Sequence, residues 1–164
     1  MSPPVEAARL GLSVVCRAVR DDAERALHWE IRRRVFVGEQ HFFEGTDHDA
    51  YDDDPDTVHV LGLCGDVAAG AVRLYPLDEP GVWKGDRLAV LPSFRSHGVG
   101  GPLVHFAVRT AAQAEGRVMI AHIQPANVSF FEHLGWHRVG EPVSFVGRPH
   151  QMMAIDLPFT LRRL

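Results

Sequence analysis

The sequence predicts an α/β sandwich: one mixed, mostly antiparallel sheet of about seven strands with helices on both faces. Three observations carry this. Leu88-Ala89-Val90-Leu91 is an apolar run closed by Pro92, and Arg95-Ser96-His97-Gly98-Val99-Gly100 follows it. Apolar residues then recur at helical spacing (Val99, Leu103, Phe106, Ala107), so strand, glycine loop and amphipathic helix stand in succession. Next, the β-rich stretches Thr57–Cys64 and Val67–Tyr75 are separated only by Gly65-Asp66, a short hairpin turn, and Val82–Leu91 returns as a third strand. Finally, helical and extended patterns alternate along the chain as β-α-β-β-β-α-β-α-β-β.

Residues 1–10 read as a lead-in, and Leu12–Val19 as the first strand. Asp21-Asp22 suits a helix start by capping and by the helix dipole. The helix is expected over about Ala23–Val37, with Ala23, Leu27, Ile31 and Arg34/Val35 down one side. Arg32, Arg33 and Arg34 then meet its negative end. Residues 41–56 form a loop rich in acids, expected to be solvated and to lie over or beside the acceptor site. Asp47-x-Asp49 begins like a calcium loop, but its sixth position is Asp52 rather than glycine and its twelfth is Val58 rather than glutamate. His41, His48 and His59 read as scattered surface histidines, and no metal is expected. The helix after the glycine loop is expected to close at Gly116, a position suited to a C-terminal glycine. Arg117–Gln124 is a buried strand, Pro125 opens a short helix ending at Gly135, and Trp136–Val139 and Gln151–Leu157 are the last strands.

The 164 residues, 46% hydrophobic, suit one domain over 1–164 with a core over about 12–157. A formal net charge of -4 and a single lysine, Lys84, leave no basic stripe for nucleic acid. No apolar run is long enough to span a membrane, and the N-terminus does not read as a signal peptide. Cys16 and Cys64 lack metal or disulfide spacing, which suits a reducing compartment. A cytoplasmic protein is expected.

A strand feeding a glycine loop at a helix start is a place for an anion. The first-turn N–H groups have no intrahelical partner, and glycine lets a phosphate approach them. The Gly-Lys-Ser/Thr of a nucleotide-triphosphate loop is missing, and a third glycine for a dinucleotide loop would fall at Leu103. By itself the motif fits a tight strand–helix turn equally well.

Two segments together resemble the GNAT acetyltransferases: Leu88-Ala-Val-x-Pro-x-x-Arg-x-x-Gly-x-Gly100, and Asn127-Val-Ser-Phe-Phe131-Glu-His-Leu-Gly-Trp136. A third, Arg-x-x-Val-Phe36-Val-x-Glu39-Gln40, resembles the ElaA-like subgroup and more distantly the acyl-homoserine lactone synthases. The resemblance implies an acyl-CoA-dependent N-acyltransferase that moves an acetyl group from acetyl-CoA to a small-molecule amine. Arg95, Ser96, His97, Gly98, Val99, Gly100 and Gly101 would hold the coenzyme pyrophosphate. A backbone N–H within Leu88, Ala89 and Val90 would polarise the thioester. The pantetheine arm would lie between the strands at 86–91 and 117–124, with Asn127 and Phe131 also on the coenzyme side. Phe36, Gln40 and Gln124 would line the acceptor site. The family pattern has tyrosine where Phe131 stands, so the usual proton donor to the thiolate is missing. That departure keeps a catalytically silent acyl-CoA binder in view as the alternative. A lactone synthase is disfavoured by the short chain. Many relatives are dimers, which leaves a homodimer open.

For the base, His122 comes first, because 120, 122 and 124 share one strand face and imidazole titrates near neutrality. A histidine hydrogen-bonded within the core is the competing reading. Glu39 is the second candidate and Asp86 a distant third. Glu39, Gln40, His122 and Gln124 are expected to face one cavity. With the acidic loop 47–56 at its rim, that cavity would favour a cationic amine.

Overall fold

A computed structural model describes residues 14–145 and 147–158. The strands are β1 (Val14–Ala18), β2 (Val58–Cys64), β3 (Val67–Pro76), β4 (Val82–Val90), β5 (Val118–Ile123), β6 (His137–Arg138), β7 (Val143–Phe145) and β8 (Arg148–Asp156). The α-helices are α1 (Asp22–Arg32), α2 (Gly100–Gln113) and α3 (Val128–His133). The sheet order is β1-β2-β3-β4-β5-β8-β6, with β7 on β8. β4 and β5 pair in parallel, while the ladders of β1 with β2 and of β8 with β5, β6 and β7 are antiparallel. The expected sheet is therefore present. The seventh and eighth strands differ from the sequence reading because β7 and the start of β8 form a hairpin across Gly147, whose φ is 74°. The lead-in and Leu12 fall outside the described residues. No described helix is long and apolar enough to cross a membrane.

Packing separates two units. The first contains the chain up to Arg73 together with Arg87–Ala107; the second contains Leu74–Asp86 and the chain from Val108 onward. β3, β4 and α2 contribute residues to both.

In the first unit, period-two alternation along the strands sends neighbouring residues to opposite faces. Leu61, Leu63, Ala71 and Ala89 pack with Ile31, Val35 and Phe36. Gly62 and Gly70 lie under Val99 and Leu103: a methyl group added at Gly70 would stand 2.8 Å from Leu103 Cδ1. These strand glycines let α2 sit close against the sheet.

α1 starts as its sequence suggests, with Asp21 accepting from the Glu24 N–H at 2.8 Å. Its face differs from the expectation. Leu27 is 49% exposed, whereas Glu24, His28, Ile31 and Arg32 are buried. The buried stripe is polar because partners elsewhere in the unit satisfy it. After Arg32 the helix widens to π geometry over Arg33–Glu39, and the Gln40 N–H reaches the Val35 carbonyl at 2.9 Å.

In the second unit, α2 ends in a double closure: Gly116 N–H to Ala111 O and Glu115 N–H to Ala112 O. The left-handed residue is Glu115, with φ 65°, and not Gly116. Gly116 is required for space, since an added methyl would stand 2.7 Å from Trp83 and 2.9 Å from Leu157.

Candidate functional site

In the first unit, β4 delivers the chain to the glycine loop. Ala89 is buried in the core, and the flanking Leu88 and Val90 are half-buried. A 3₁₀ turn over Pro92–His97 follows, anchored by buried Phe94, whose N–H bonds to the Leu91 carbonyl at 2.8 Å. Gly98 then takes φ 69°, a conformation that glycine adopts without a Cβ penalty, and α2 begins at Gly100. A methyl added at Gly98 or Gly101 would meet nothing within 4 Å. The loop is thus bare where a phosphate would have to reach first-turn N–H groups, and the first turn carries no acidic residue. Exposed Ser96 contacts His97 through Oγ and Nδ1 at 3.2 Å.

Arg95 lies across this loop. Its Nε donates to the Val90 carbonyl at 3.0 Å, and its Nη1 donates to Glu39 Oε2 at 2.6 Å. Nη2 donates to the other Glu39 oxygen, making the pair two-pronged. The Arg95 bonds hold the Glu39 carboxyl below the ordinary carboxylate range. Phe36, expected at the wall of the acceptor site, is a core residue here, and its carbonyl accepts from the Phe42 and Phe43 N–H groups. Gln40 is half-buried just beyond the π turn.

The acidic loop corrects the expectation of a solvated, electronegative rim. Asp47 and Asp52 are buried, and so are Arg32 and Arg73 at 0% exposure. Arg32 Nε donates to Asp47 at 2.7 Å, and its Nη1 and Nη2 grip both Asp52 oxygens at 2.6 and 3.0 Å. Arg73 takes both Asp49 oxygens at 2.6 and 3.1 Å and stands 3.0 Å from Asp52. Arg87 Nε stands 3.1 Å from Asp47 Oδ2, and the guanidinium lies 4.6 Å over the Phe43 ring. Three arginines pair with Asp47, Asp49 and Asp52, so the charge of these acids is largely compensated. Asp53, Asp54 and Asp56 face solvent, and the Asp49 side chain is 39% exposed. With Glu39 also held by Arg95, the local field that would favour a cationic acceptor is weaker than the sequence suggests.

Below the network lies His28, fully buried. A carbonyl only accepts, so its Nδ1 carries the hydrogen given to Val60 O at 3.0 Å. Its Nε2 then accepts from Arg32 at 3.3 Å. Burial, helped by the Arg32 charge, pushes its pKa down to about 3. His59, read as a surface histidine, is also buried, with its ring edge-on to His28. This lattice pins the residue before Leu88: Arg87 has φ 53°, a strained value for a side-chain-bearing residue.

In the second unit, β5 alternates as expected, with Met119, Ala121 and Ile123 buried and His122 half-buried on the other face. The His122 ring stacks on Phe145 with centroids 4.7 Å apart and planes 5° apart. Phe145 meets His150 edge-on, and the Lys84 ammonium lies 5.1 Å from the Phe145 ring centre. His122 Nδ1 is buried and has no hydrogen-bond partner among the described residues. Burial, then the Lys84 and His150 charges, depress its pKa, with Asp86 opposing, so the ring is neutral at pH 7. Asp86 accepts from the buried Tyr75 hydroxyl at 3.0 Å. Gln124 is half-buried at the strand end, and Asn127 is exposed where α3 starts. Phe131 is buried, edge-on to Phe130 and Trp136 at 5.4 and 5.3 Å.

Among the residues that build these sites, Arg73, Arg87, Gly62 and Gly70 were not singled out from sequence, and Arg32 was read only as a cation at the end of α1. Only the strand glycines carried a signal, since glycine inside a strand marks a close approach.

Strand, bare glycine loop and helix start follow one another in the first unit, as the sequence predicts. The sequence model of the Acetyltransferase (GNAT) family matches residues 22–136, and the chain belongs to that family. It is an acyltransferase. A Bacillus subtilis (strain 168) protein named as an acetyltransferase is 30% identical over 134 residues, covering 80% of this chain and 90% of the relative. The crystal structure of Escherichia coli ElaA is similar with a TM-score of 0.76 at 22% identity, over 87% of this chain and 99% of that one. The CoA-dependent acyl-homoserine lactone synthase BjaI, solved with isopentyl-CoA, gives a TM-score of 0.73 at 19% identity, over 93% and 87%. At these identities the two structures speak for the fold.

Proposed function

We propose that this protein transfers an acyl group, acetyl in the first instance, from acyl-CoA to the amine of a small molecule by direct attack. The observation that carries the reading is the glycine cradle at Gly98–Gly101, bare at a helix start and free of acidic groups in the first turn. Arg95 and the N–H groups of Ser96–Gly101 bind the coenzyme pyrophosphate, and an N–H of Leu88–Val90 polarises the thioester carbonyl. Asn127 and Phe131 serve the coenzyme, while Gln40 and Gln124 serve the acceptor.

In the chemical step the amine nitrogen attacks the thioester carbon. A C–N bond forms, and the C–S bond breaks as the coenzyme leaves as thiolate. His122 takes the proton that the nitrogen loses; its neutral ring and unpartnered Nδ1 support that role. Phe131 offers no proton, so the thiolate, a modest base, is protonated from water. A buried phenylalanine at this point also favours the second reading, a silent acyl-CoA binder.

Coenzyme A should raise the melting temperature of the wild type by mass action, and Gly100→Val should fold and lose that rise. Normal binding by a folded Gly100→Val protein would remove the site from this loop. Thiol release from acetyl-CoA with a panel of amines separates enzyme from binder, because a binder is stabilised yet releases none.

A further inference from the structure

Two residues to which separate roles are given above are each other's partner. Glu39 ends the π-helical turn, and the chain leaves it through His41, a non-glycine residue with φ 51°. A widened helix followed by a strained turn aims a side chain at some cost, and such irregularities cluster at functional sites. The side chain so aimed closes on Arg95, whose Nε is tied to the Val90 carbonyl and whose two terminal nitrogens both face the Glu39 carboxylate. The pair is open to water, with side-chain exposures of 44% for Arg95 and 36% for Glu39. An ion pair so exposed stabilises the fold little, so separating it costs the protein little. Carboxylate and phosphate are alternative two-pronged partners of the same guanidinium, and a pyrophosphate brings more charge than one carboxylate.

We propose that Glu39 is a stand-in for the coenzyme phosphate. In the free enzyme it occupies Arg95; the pyrophosphate of acyl-CoA takes Arg95 over while the Nε–Val90 bond stays. Glu39 is thereby released as an unpaired carboxylate, the group suited to receive the ammonium of the acceptor. Acyl-CoA therefore binds first, and the acceptor's carboxylate partner exists only once it has bound. This rests on the reading that the coenzyme binds at the 95–101 loop.

Calorimetric titration with coenzyme A, and in parallel with inorganic pyrophosphate, tests it on the wild type, Glu39→Gln, Arg95→Gln and the double variant. Both residues are exposed, and circular dichroism checks that the fold is kept. Glu39→Gln should bind both probes roughly two- to fivefold more tightly than the wild type, the scale of an exposed ion pair. In the Arg95→Gln background the same change should have no effect. Unchanged or weaker binding by Glu39→Gln, with a wild type that binds, overturns the stand-in while leaving the coenzyme site in place. Tightening that persists without Arg95 also overturns it, since the effect would then be general charge. If none of the four proteins binds coenzyme A, the reading of the loop falls, and the stand-in falls with it.

Discussion

The two units handle charge in opposite ways. In the first, charges are numerous and paired, most of them buried: Arg32, Arg73 and Arg87 share Asp47, Asp49 and Asp52, with neutral His28 beneath. In the second, a neutral imidazole has a buried nitrogen, His122 Nδ1, without a hydrogen-bond partner among the described residues, beside a stacked Phe145 and a lysine. The first arrangement holds the acidic loop and β4 in place. The second leaves an imidazole able to accept a proton. Charge held in ion pairs is architecture, and a half-buried titratable base left wanting a partner is where chemistry is to be sought.

The largest expected effect breaks the first unit's pairing. Arg73→Met leaves Asp52 and Asp49 short of a cation, and losing one partner of a buried pair costs about 3–5 kcal/mol. Urea unfolding should show that loss, whereas His122→Ala, which removes no hydrogen bond to Nδ1, should shift the midpoint far less. Similar losses in both would erase the contrast between the units.

Acid sharpens the comparison. The native pKa of His28 is depressed to about 3 from 6.5, so between those values the unfolded chain takes up a proton that the native state refuses. The stability it contributes is complete above pH 6.5 and is lost as pH falls toward 3. Asp52, depressed from 3.8 by Arg32 and the Asp49 N–H against an opposing burial cost, adds a second loss below 3.8. Amide exchange on acidification should therefore quicken first around His28, Asp47–Asp53 and β2. Equal quickening in β5 over the same pH range would contradict it.

Much of the fold was legible because it rests on periodicity and on glycine. The strand–loop–helix unit, the hairpin at Gly65 and the Asp21 cap each follow from local residue types. The interior of α1 was not legible, because a stripe of Glu24, His28 and Arg32 looks solvated until partners 15 and 20 residues away are known. For the same reason the loop 47–56 read as an electronegative rim. At the candidate site, the glycine loop at a helix start and the strand alternation at His122 could be read, but the Glu39–Arg95 pairing could not, since it joins residues 56 positions apart.

The smallest expected effect concerns the end of α2, where the left-handed residue is Glu115 and the close approach is at Gly116. Glu115→Gly should stabilise by about 1 kcal/mol by relieving its positive φ. Gly116→Ala should destabilise, because its methyl would press on Trp83. The reverse ranking in thermal unfolding would mean that the left-handed position is Gly116 after all.

The central claim is that the unsatisfied imidazole of the second unit is the base of an acyl-CoA transferase. The pH dependence of kcat/KM, measured with an amine that releases thiol from acetyl-CoA, tests it most directly. The wild type should lose rate on an acid limb whose midpoint lies below the ordinary histidine value of 6.5, as expected for a ring with a depressed pKa. His122→Ala should lower kcat/KM by roughly a hundredfold and abolish that limb, while the melting-temperature rise with coenzyme A stays the same. An His122→Ala enzyme with the wild-type rate and the wild-type acid limb would contradict the claim.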